Sequence, residues 1–211
     1  MTPARRLVAR TLSTEVRLWA CLMRWLFGRH EGRSAQAHPY GRSLRPLLIV
    51  LLALVIVEGG LVEGVLALLA PRTPWPWLVL VLHVYALVWI AGLMASLRTR
   101  PHLLNSGELR LRDSVFTEIV VPLAAITGAR ATRRQTAARS GFLLDSAGAA
   151  ATLAYGEATV TVMLDPDYPI DVDGTSVAGL KCLHITVDDT GRFLQAIATP
   201  PPQPAPGAGL V

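Results

Sequence analysis

The side chains with the most evident chemical potential in this sequence are three ionisable residues inside long apolar runs. Glu58 and Glu63 lie within the run 47–70, and His83 lies within the run 77–97. A charged group is costly inside a lipid bilayer, so a carboxylate there should meet a partner or take up a proton. Two interpretations are open: the three side chains line a path for protons or a ligand, or they form a hydrogen-bonded clasp between helices.

The elements that must position these side chains are two transmembrane helices. Each run has about 20 residues, which at ~1.5 Å per residue span a hydrocarbon core of roughly 30 Å. Only residues 71–76 separate the runs, which predicts a two-helix hairpin over 47–97 with a tight turn near residues 73 and 74. Antiparallel pairing about that turn brings Glu63 and His83 to nearly the same depth, so we predict a contact between them.

Small residues on the first run predict a helix-packing face. Gly60 and Gly64 form a GxxxG pattern, and small residues let helix backbones approach closely where no hydrophobic effect drives association. This face can serve the hairpin itself or a homodimer. Glu58 falls opposite Trp89, whose indole is a donor; otherwise Glu58 is neutral or meets a second copy of the chain.

Residues 1–27 have the pattern of an amphipathic helix. At 100° per residue, leucine, valine and tryptophan occupy much of one side, with Glu15 as the exception, and a narrow opposite stripe carries Arg6, Arg10, Arg17 and Arg24. A basic stripe opposite Leu and Trp is typical of a helix at the membrane interface, where the arginines meet anionic lipid headgroups. The alternative is an ordinary amphipathic helix packed on a protein partner.

Residues 28–46 are polar and rich in Gly, Ser, Pro and Arg, and they predict a linker without regular structure. His30 and His38 within it are expected to be solvated, and Tyr40 to anchor the chain at the membrane surface. Arginine is dense before residue 47 and follows the second run at once. By the positive-inside rule, both termini are expected in the cytoplasm.

From residue 101 the pattern changes to short apolar runs with turn signals about every ten residues, which predicts an all-β domain over 101–199. The predicted strands are 108–112, 114–122, 125–134, 142–145, 149–155, 159–164, 170–172 and 180–187. A closing helix over 190–198, capped by Asp188 or Asp189, should pack on the sheet. Residues 200–211 predict a disordered proline-rich tail.

Three segments of this C-terminal half carry a family resemblance: the opening strand 107–112, the step 119–126 and the closing strand and helix from Leu183 to Leu194. Together they resemble a bacterial PH-like domain, and two membrane spans before it resemble small bacterial integral membrane proteins. The resemblance implies a partly open, strongly bent β barrel or sandwich with one end plugged by the C-terminal helix. It implies no shared enzymatic activity and supplies no binding residue by position.

The sequence predicts neither an enzyme nor a cofactor or metal site. GxSxG, P-loop, GxGxxG and HExxH motifs are absent. The loop 165–174 has alternating aspartates, as calcium sites do, but it lacks EF-hand spacing, so a solvated acidic loop is favoured. Cys182 and His184 share one face of a strand; a buried thiol and an edge histidine are favoured over a catalytic pair, since no orienting third group is evident.

Composition and charge narrow the function classes. Of 211 residues, 52% are hydrophobic and 17% charged, which fits a membrane protein with a modest soluble part. The net charge is +5, and the arginines are concentrated before residue 47. This distribution favours an anionic membrane surface over nucleic acid as the binding partner.

We therefore expect a non-enzymatic, multi-pass protein of the bacterial cytoplasmic membrane. Its cytoplasmic β domain would bind a protein partner or lipid headgroups. Two interpretations are open for Arg130, Arg133, Arg134 and Arg139: a basic patch near the lipid headgroups, or a solvated loop. The alternative is an oligomeric subunit of a transporter or proton-coupled complex that uses Glu58, Glu63 and His83.

Overall fold

The chain folds into two compact units, one helical and one built on β-sheets. The structure, a computed structural model, describes residues 3–28, 36–69, 72–135, 142–145, 148–154 and 156–199, without the side chains of 3–12. The helical unit takes residues 1–29 and 42–99, and the β unit takes residues 30–41 and 100–211. The predicted tail, 200–211, lies outside the described residues.

The helical unit contains α1 (Pro3–Leu26), α2 (Arg45–Leu69) and α3 (Trp75–Thr99), and both α1 and α2 pack on α3. Helices α2 and α3 have 25 residues each and are long and apolar enough to cross a membrane. Only 11% and 17% of their most apolar windows are buried, whereas the core helix of a soluble protein would be mostly buried. Two long apolar helices over the predicted hairpin are therefore confirmed.

Glycines provide the close contacts between these helices. A Cβ on Gly92 of α3 would lie 2.1 Å from the Cδ2 atom of Leu18 on α1, and a Cβ on Gly59 of α2 would lie 2.9 Å from the Cδ2 atom of His83 on α3. Both distances are too short for a real carbon, so each neighbouring side chain occupies the space that a larger residue would need. Each packing pair thus depends on a glycine at that position.

The β unit contains eleven strands in its described residues, arranged in two sheets. In chain order the strands are β1 (Gln36–His38), β2 (His102–Leu104), β3 (Glu108–Asp113), β4 (Thr117–Pro122), β5 (Ile126–Gln135), β6 (Phe142–Leu144), β7 (Ala150–Leu153), β8 (Glu157–Leu164), β9 (Ile170–Val172), β10 (Thr175–Val177) and β11 (Cys182–Ile185). The first sheet has the order β1-β2-β3-β4-β9-β10, and the second has the order β5-β8-β11-β7-β6. All pairings are antiparallel except that of β11 with β7.

The core of the β unit lies between inward-facing residues of both sheets and helix α4 (Thr190–Ala198). Alternate residues of the long strands are fully buried, as in Val160 and Val162 of β8 and Leu109 and Leu111 of β3. Phe193 of α4 is also fully buried among them. The predicted closing helix has the observed bounds, and its predicted cap is confirmed, because the Oδ1 atom of Asp189 accepts a hydrogen bond from the backbone N–H of Arg192 at 3.0 Å.

The predicted linker is wrong over residues 36–40. Strand β1 pairs antiparallel with β2, with His38 opposite His102, so this segment belongs to the β unit. His38 and Tyr40 are each 1% exposed, so neither the solvated histidine nor the membrane-surface tyrosine is observed. His30 lies outside the described residues.

The remaining differences from the predicted strands have local causes. The predicted strand 114–122 begins only at Thr117, because Ser114 has a φ of 52° and opens the turn between β3 and β4. Strands β2 and β10 were not predicted; each has three residues, which is too short for an alternating pattern to be recognised.

Candidate functional site

The polar contact of the helical unit is centred on Glu15, which the sequence marked only as an exception on an apolar face. Its Oε1 atom accepts hydrogen bonds from the hydroxyl of Tyr85 at 2.8 Å and the indole Nε1 of Trp89 at 3.2 Å. The two donors stand one turn apart near the middle of α3. The sequence contained a signal for this contact. One helix has an acid on its apolar side, and another has two aromatic donors at an i, i+4 spacing. Trp89 therefore serves Glu15, not Glu58 as predicted.

The predicted contact between Glu63 and His83 is not observed. The residue of α2 that lies beside His83 is Gly59, about one helical turn before Glu63. The His83 ring lies against Gly59, and its Nδ1–H donates to the carbonyl of Val79 on its own helix at 2.9 Å. The buried Oε1 atom of Glu63 has no hydrogen-bond partner in the described part of the chain. The displacement follows because α2 ends one residue earlier, and α3 begins two residues earlier, than the apolar runs predicted.

The other polar and small residues predicted on the first run face outward. Glu58, Gly60 and Gly64 are exposed, and a Cβ on either glycine would meet nothing within 4 Å. Gly59 makes the contact within the hairpin. Of the two uses predicted for the GxxxG face, only the homodimer stays open.

The arginine stripe of α1 is partly described. Arg17 is exposed and Arg24 is half-buried, while the side chains of Arg6 and Arg10 lie outside the described residues. The apolar side of α1 buries Leu18 and Cys21. Helix α1 packs on α3, so the chain itself supplies the packing partner that the alternative interpretation required.

The β unit contains a cluster of buried polar side chains in and beside strand β1, which the sequence did not predict. The Tyr40 ring stacks on that of His102 with centroids 4.3 Å apart, and the Tyr40 hydroxyl accepts from the backbone N–H of Ser114 at 2.7 Å. His38 meets the ring of Phe193 edge-on at 5.1 Å. We call His38, Tyr40 and His102 the strap cluster, because they fasten β1 to the β unit.

The surroundings of the strap cluster favour the uncharged forms of its three side chains. The Nδ1 atom of His102 accepts from the backbone N–H of Arg112 at 3.0 Å, and its Nε2–H donates to the carbonyl of Thr186 at 3.1 Å. Burial lowers the pKa of His102 to about 3 and, with the nearby Arg192 as a smaller cause, lowers the pKa of His38. Burial likewise raises the pKa of Tyr40. Both ring nitrogens of His102 are therefore occupied, which gives His102 a structural role in the cluster.

An ion-pair network lies beside the strap cluster. Glu118 of β4 accepts from the Nη2 atom of Arg100 at 2.9 Å and from that of Arg112 at 3.4 Å, while the Nη1 atom of Arg100 donates to the carbonyl of Ser114. Arg100 and Arg112 are nearly buried. Shared by two buried guanidinium groups, this carboxylate is a structural partner and not a free acid.

The side chains of Cys182 and His184 lie close together on strand β11. The Cys182 sulfur lies 3.9 Å from the Nε2 atom of His184, but that nitrogen also accepts from Arg134 at 3.2 Å, while Nδ1 is 2.9 Å from the Thr161 hydroxyl. Burial, and then the charges of Arg134 and Arg130, lower the pKa of His184. The exposure is the reverse of that predicted, because the thiol is half-buried and the histidine is buried.

Strand β5 carries the predicted basic patch on exposed positions. Arg133 donates to Glu157 at 2.6 Å and Arg134 contacts His184, whereas Arg130 has neither an ion pair nor a hydrogen bond within the described residues. Arg139 lies outside the described residues. We call Arg130, Arg133 and Arg134 the basic row. Among the described residues, one carboxylate, that of Glu157, pairs with one of these three cations.

The aspartates of the loop 165–174 bind backbone groups of turns. Asp165 accepts from the N–H of Asp167, Asp171 from that of Gly174, and Asp173 from that of Glu118, at 2.8–3.1 Å. Such bonds hold short turns in place. The loop thereby joins β9 and β10 to the edge of β4.

Comparison of the chain with protein-family models, with curated proteins and with solved structures finds no match. Its function therefore has to be argued from the geometry of the helical unit, the basic row and the surfaces of the β unit.

Proposed function

We propose that this chain is a non-enzymatic protein of the bacterial cytoplasmic membrane, with α2 and α3 as its anchor and both termini in the cytoplasm. The low burial of the two apolar helices supports the anchor. The arginines before α2 and at the end of α3, such as Arg98, support the orientation through the positive-inside rule. A PH-like identity of the β unit is supported by its two sheets and by the buried Phe193 of the closing helix.

The β unit binds anionic lipid headgroups at the inner leaflet through its basic row. The observation that carries this proposal is Arg130, an exposed cation without a carboxylate partner among the described residues. Arg133, whose side chain is 89% exposed, and Arg134 extend the positive charge along the same strand. Each arginine close to an anionic membrane surface contributes about 1 kcal/mol, and this contribution falls within a Debye length.

Vesicle binding by the full-length chain tests this proposal. The chain is placed in phosphatidylcholine nanodiscs and mixed with vesicles of phosphatidylcholine alone or mixed with phosphatidylglycerol, and co-flotation is measured. Arg130→Gln should weaken binding to the anionic vesicles about fivefold, the equivalent of ~1 kcal/mol. Arg192→Gln, an exposed arginine of α4, is the matched control and should leave binding unchanged. Equal binding to both vesicle types, or equal losses in both variants, would reject headgroup binding by the basic row.

A second candidate function is a subunit of a proton-coupled membrane complex. It is favoured by the exposed Glu58 and the unpartnered Oε1 atom of Glu63, both on an apolar helix. Dissipation of a pH gradient in proteoliposomes tests it, with the double substitution Glu58→Gln and Glu63→Gln. Under this candidate the flux disappears while assembly survives; an unchanged flux, or none in the parent chain, would reject it.

A further inference from the structure

A groove of about 290 Å³ runs between strand β5 and helix α4. Four consecutive residues of β5, Ile126 to Ala129, form one wall, and Leu194, Ile197 and Ala198 form the other. Successive side chains of a strand point to opposite faces. These four residues lie on both sides of a register shift between Ile126 and Gly128, and β5 is the terminal strand of the second sheet, so the groove borders the backbone at an edge of that sheet.

That edge has no partner strand in the described part of the chain. Strand β5 is the first strand of the second sheet and pairs only with β8. It has ten residues, whereas the other terminal strands, β1, β6 and β10, have three each. An unpaired edge presents N–H and C=O groups that can pair with a further strand, and a long edge presents the most of them.

Irregularities of β5 limit where another strand can pair. Register shifts lie between Ile126 and Gly128 and between Ala131 and Arg134. The regular segment between them is Gly128 to Ala131, about 13 Å long at ~3.3 Å per residue. Its first half, Gly128 and Ala129, lies in the groove.

The charges beside the groove indicate which side chains a bound segment would carry beyond it. Arg130 follows the groove at once and has no carboxylate partner among the described residues, and Arg133 and Arg134 come next. The one carboxylate paired with this row, Glu157, is already held by Arg133. An occupant that continues along β5 beyond the groove therefore meets net positive charge, which acidic side chains would complement.

The geometry points to a peptide-docking site: an extended segment of another protein adds as a strand to the edge of β5 at Gly128 to Ala131. Its apolar side chains fill the groove against Leu194 and Ile197, and its acidic side chains meet the basic row. Main-chain hydrogen bonds supply affinity in this mode of recognition, and the groove and the charges select the sequence. The inference does not depend on headgroup binding, and the residues that line the groove carry no charge.

Selection of peptides on the full-length chain tests the site. Random linear peptides displayed on phage are selected on chain-containing nanodiscs, with empty nanodiscs as the subtraction. The expected peptides join a short run of Val, Ile or Leu to Asp or Glu. Failure to enrich any peptide over empty nanodiscs, or enrichment of peptides without this pattern, would overturn the inference.

Substitutions in the groove locate the binding. Ala198 and Thr127 are exposed groove residues, and Ala198→Trp or Thr127→Trp should each weaken a selected synthetic peptide about tenfold or more by filling the groove. Gln195→Trp places the same bulk on an exposed position of α4 outside the groove and should have no effect. Unchanged binding in both groove variants would overturn the inference, and hydrogen exchange of β8 verifies that each variant is folded.

Two further measurements separate this inference from its alternatives. Ala198→Trp should leave vesicle binding unchanged, while Arg130→Gln should weaken both vesicle and peptide binding, so either proposal can fail alone. Deletion of residues 200–211 should leave peptide affinity unchanged. A tenfold rise in affinity after the deletion would show that the chain's own tail occupies the groove, and would overturn the assignment to another protein.

Discussion

The helical unit and the β unit both hold polar side chains by hydrogen bonds, but the partners are of different kinds. In the helical unit Glu15 is held by two side chains, those of Tyr85 and Trp89. In the β unit His102 is held by two backbone groups, those of Arg112 and Thr186. Helices use their own N–H and C=O groups internally, whereas strand ends and edges leave such groups available.

This difference has an energetic consequence. Removing a side chain that serves a buried backbone group leaves that group without a partner, and an unsatisfied buried group costs about 1–3 kcal/mol. Removing Glu15 leaves the side-chain donors of Tyr85 and Trp89, which can rotate towards other acceptors, whereas backbone groups in strands are fixed in place. The β unit should therefore be the more sensitive of the two to loss of a polar side chain.

The largest effect is expected from His102→Ala. This substitution leaves a cavity beside Tyr40 and removes the hydrogen bonds of His102 to two backbone groups, and it should cost about 4 kcal/mol of the free energy of unfolding of the β unit. Hydrogen exchange of β2 and β3 in the full-length chain measures it. Lys181→Ala, at an exposed position, is the control. A loss no larger than that of the control would contradict the structural role of His102.

Acidification should destabilise the β unit in particular. The pKa of His102 is about 3 in the folded state and near 6.5 in the unfolded chain, so the unfolded state binds the proton between these values. Its contribution is complete above pH 6.5 and falls by roughly 1.4 kcal/mol per pH unit as the pH drops towards 3. His38, whose pKa is also lowered, changes stability in the same direction. Thermal unfolding as a function of pH measures the slope.

The acid slope can be assigned by substitution. His102→Gln should reduce it, because the imidazole of His102 then no longer takes up a proton on unfolding while that of His38 still does. Lys181→Gln should leave it unchanged. An unaltered slope in His102→Gln would assign the acid sensitivity to other groups.

In the helical unit, the largest effect is expected at a packing position and not at a polar one. Gly92→Val places a Cβ where the Leu18 side chain lies and should destabilise the packing of α1 on α3 by about 1–3 kcal/mol. Gly60→Val, with open space around its Cβ, is the matched control. Protease protection of α1 in nanodiscs measures the change. Equal protection in both variants would mean that α1 does not depend on this contact.

The smallest effect is expected from Glu15→Ala. Two hydrogen bonds are lost, but both donors belong to side chains that can rotate towards other acceptors, so the loss should be only about 1 kcal/mol. The melting temperature in detergent micelles measures it, with the exposed Arg17→Ala as the control. A loss as large as that of His102→Ala would remove the distinction between the two units.

Much of the fold could be predicted because it is encoded locally. The apolar runs gave the helices of the hairpin, and the alternation in Glu108–Asp113 and Glu157–Leu164 gave two of the longest strands. The acid of Asp189 before the apolar residues of α4 gave the start of that helix. The basic row was also readable, because Arg130, Arg133 and Arg134 are close together in the sequence.

The candidate sites were less predictable, because their partners are distant in the sequence. Glu15 bonds residues 70 and 74 positions away, and no local pattern connects them. His38 and Tyr40 stand in a segment with no periodicity and are buried only because β1 pairs with β2. The groove requires β5 and α4 to lie side by side, although more than fifty residues separate them.

By itself, therefore, the sequence determined the types of the elements: two long apolar helices, a β domain and a capped closing helix. These follow from hydrophobic periodicity and from local capping, which act within a few residues. The tertiary structure alone decided that Gly59, and not Gly60 or Gly64, packs the hairpin, that β1 joins the β unit, and that the edge of β5 lies open beside α4. Those outcomes depend on which surfaces meet, and helix ends that shift by one or two residues change every partner across the interface.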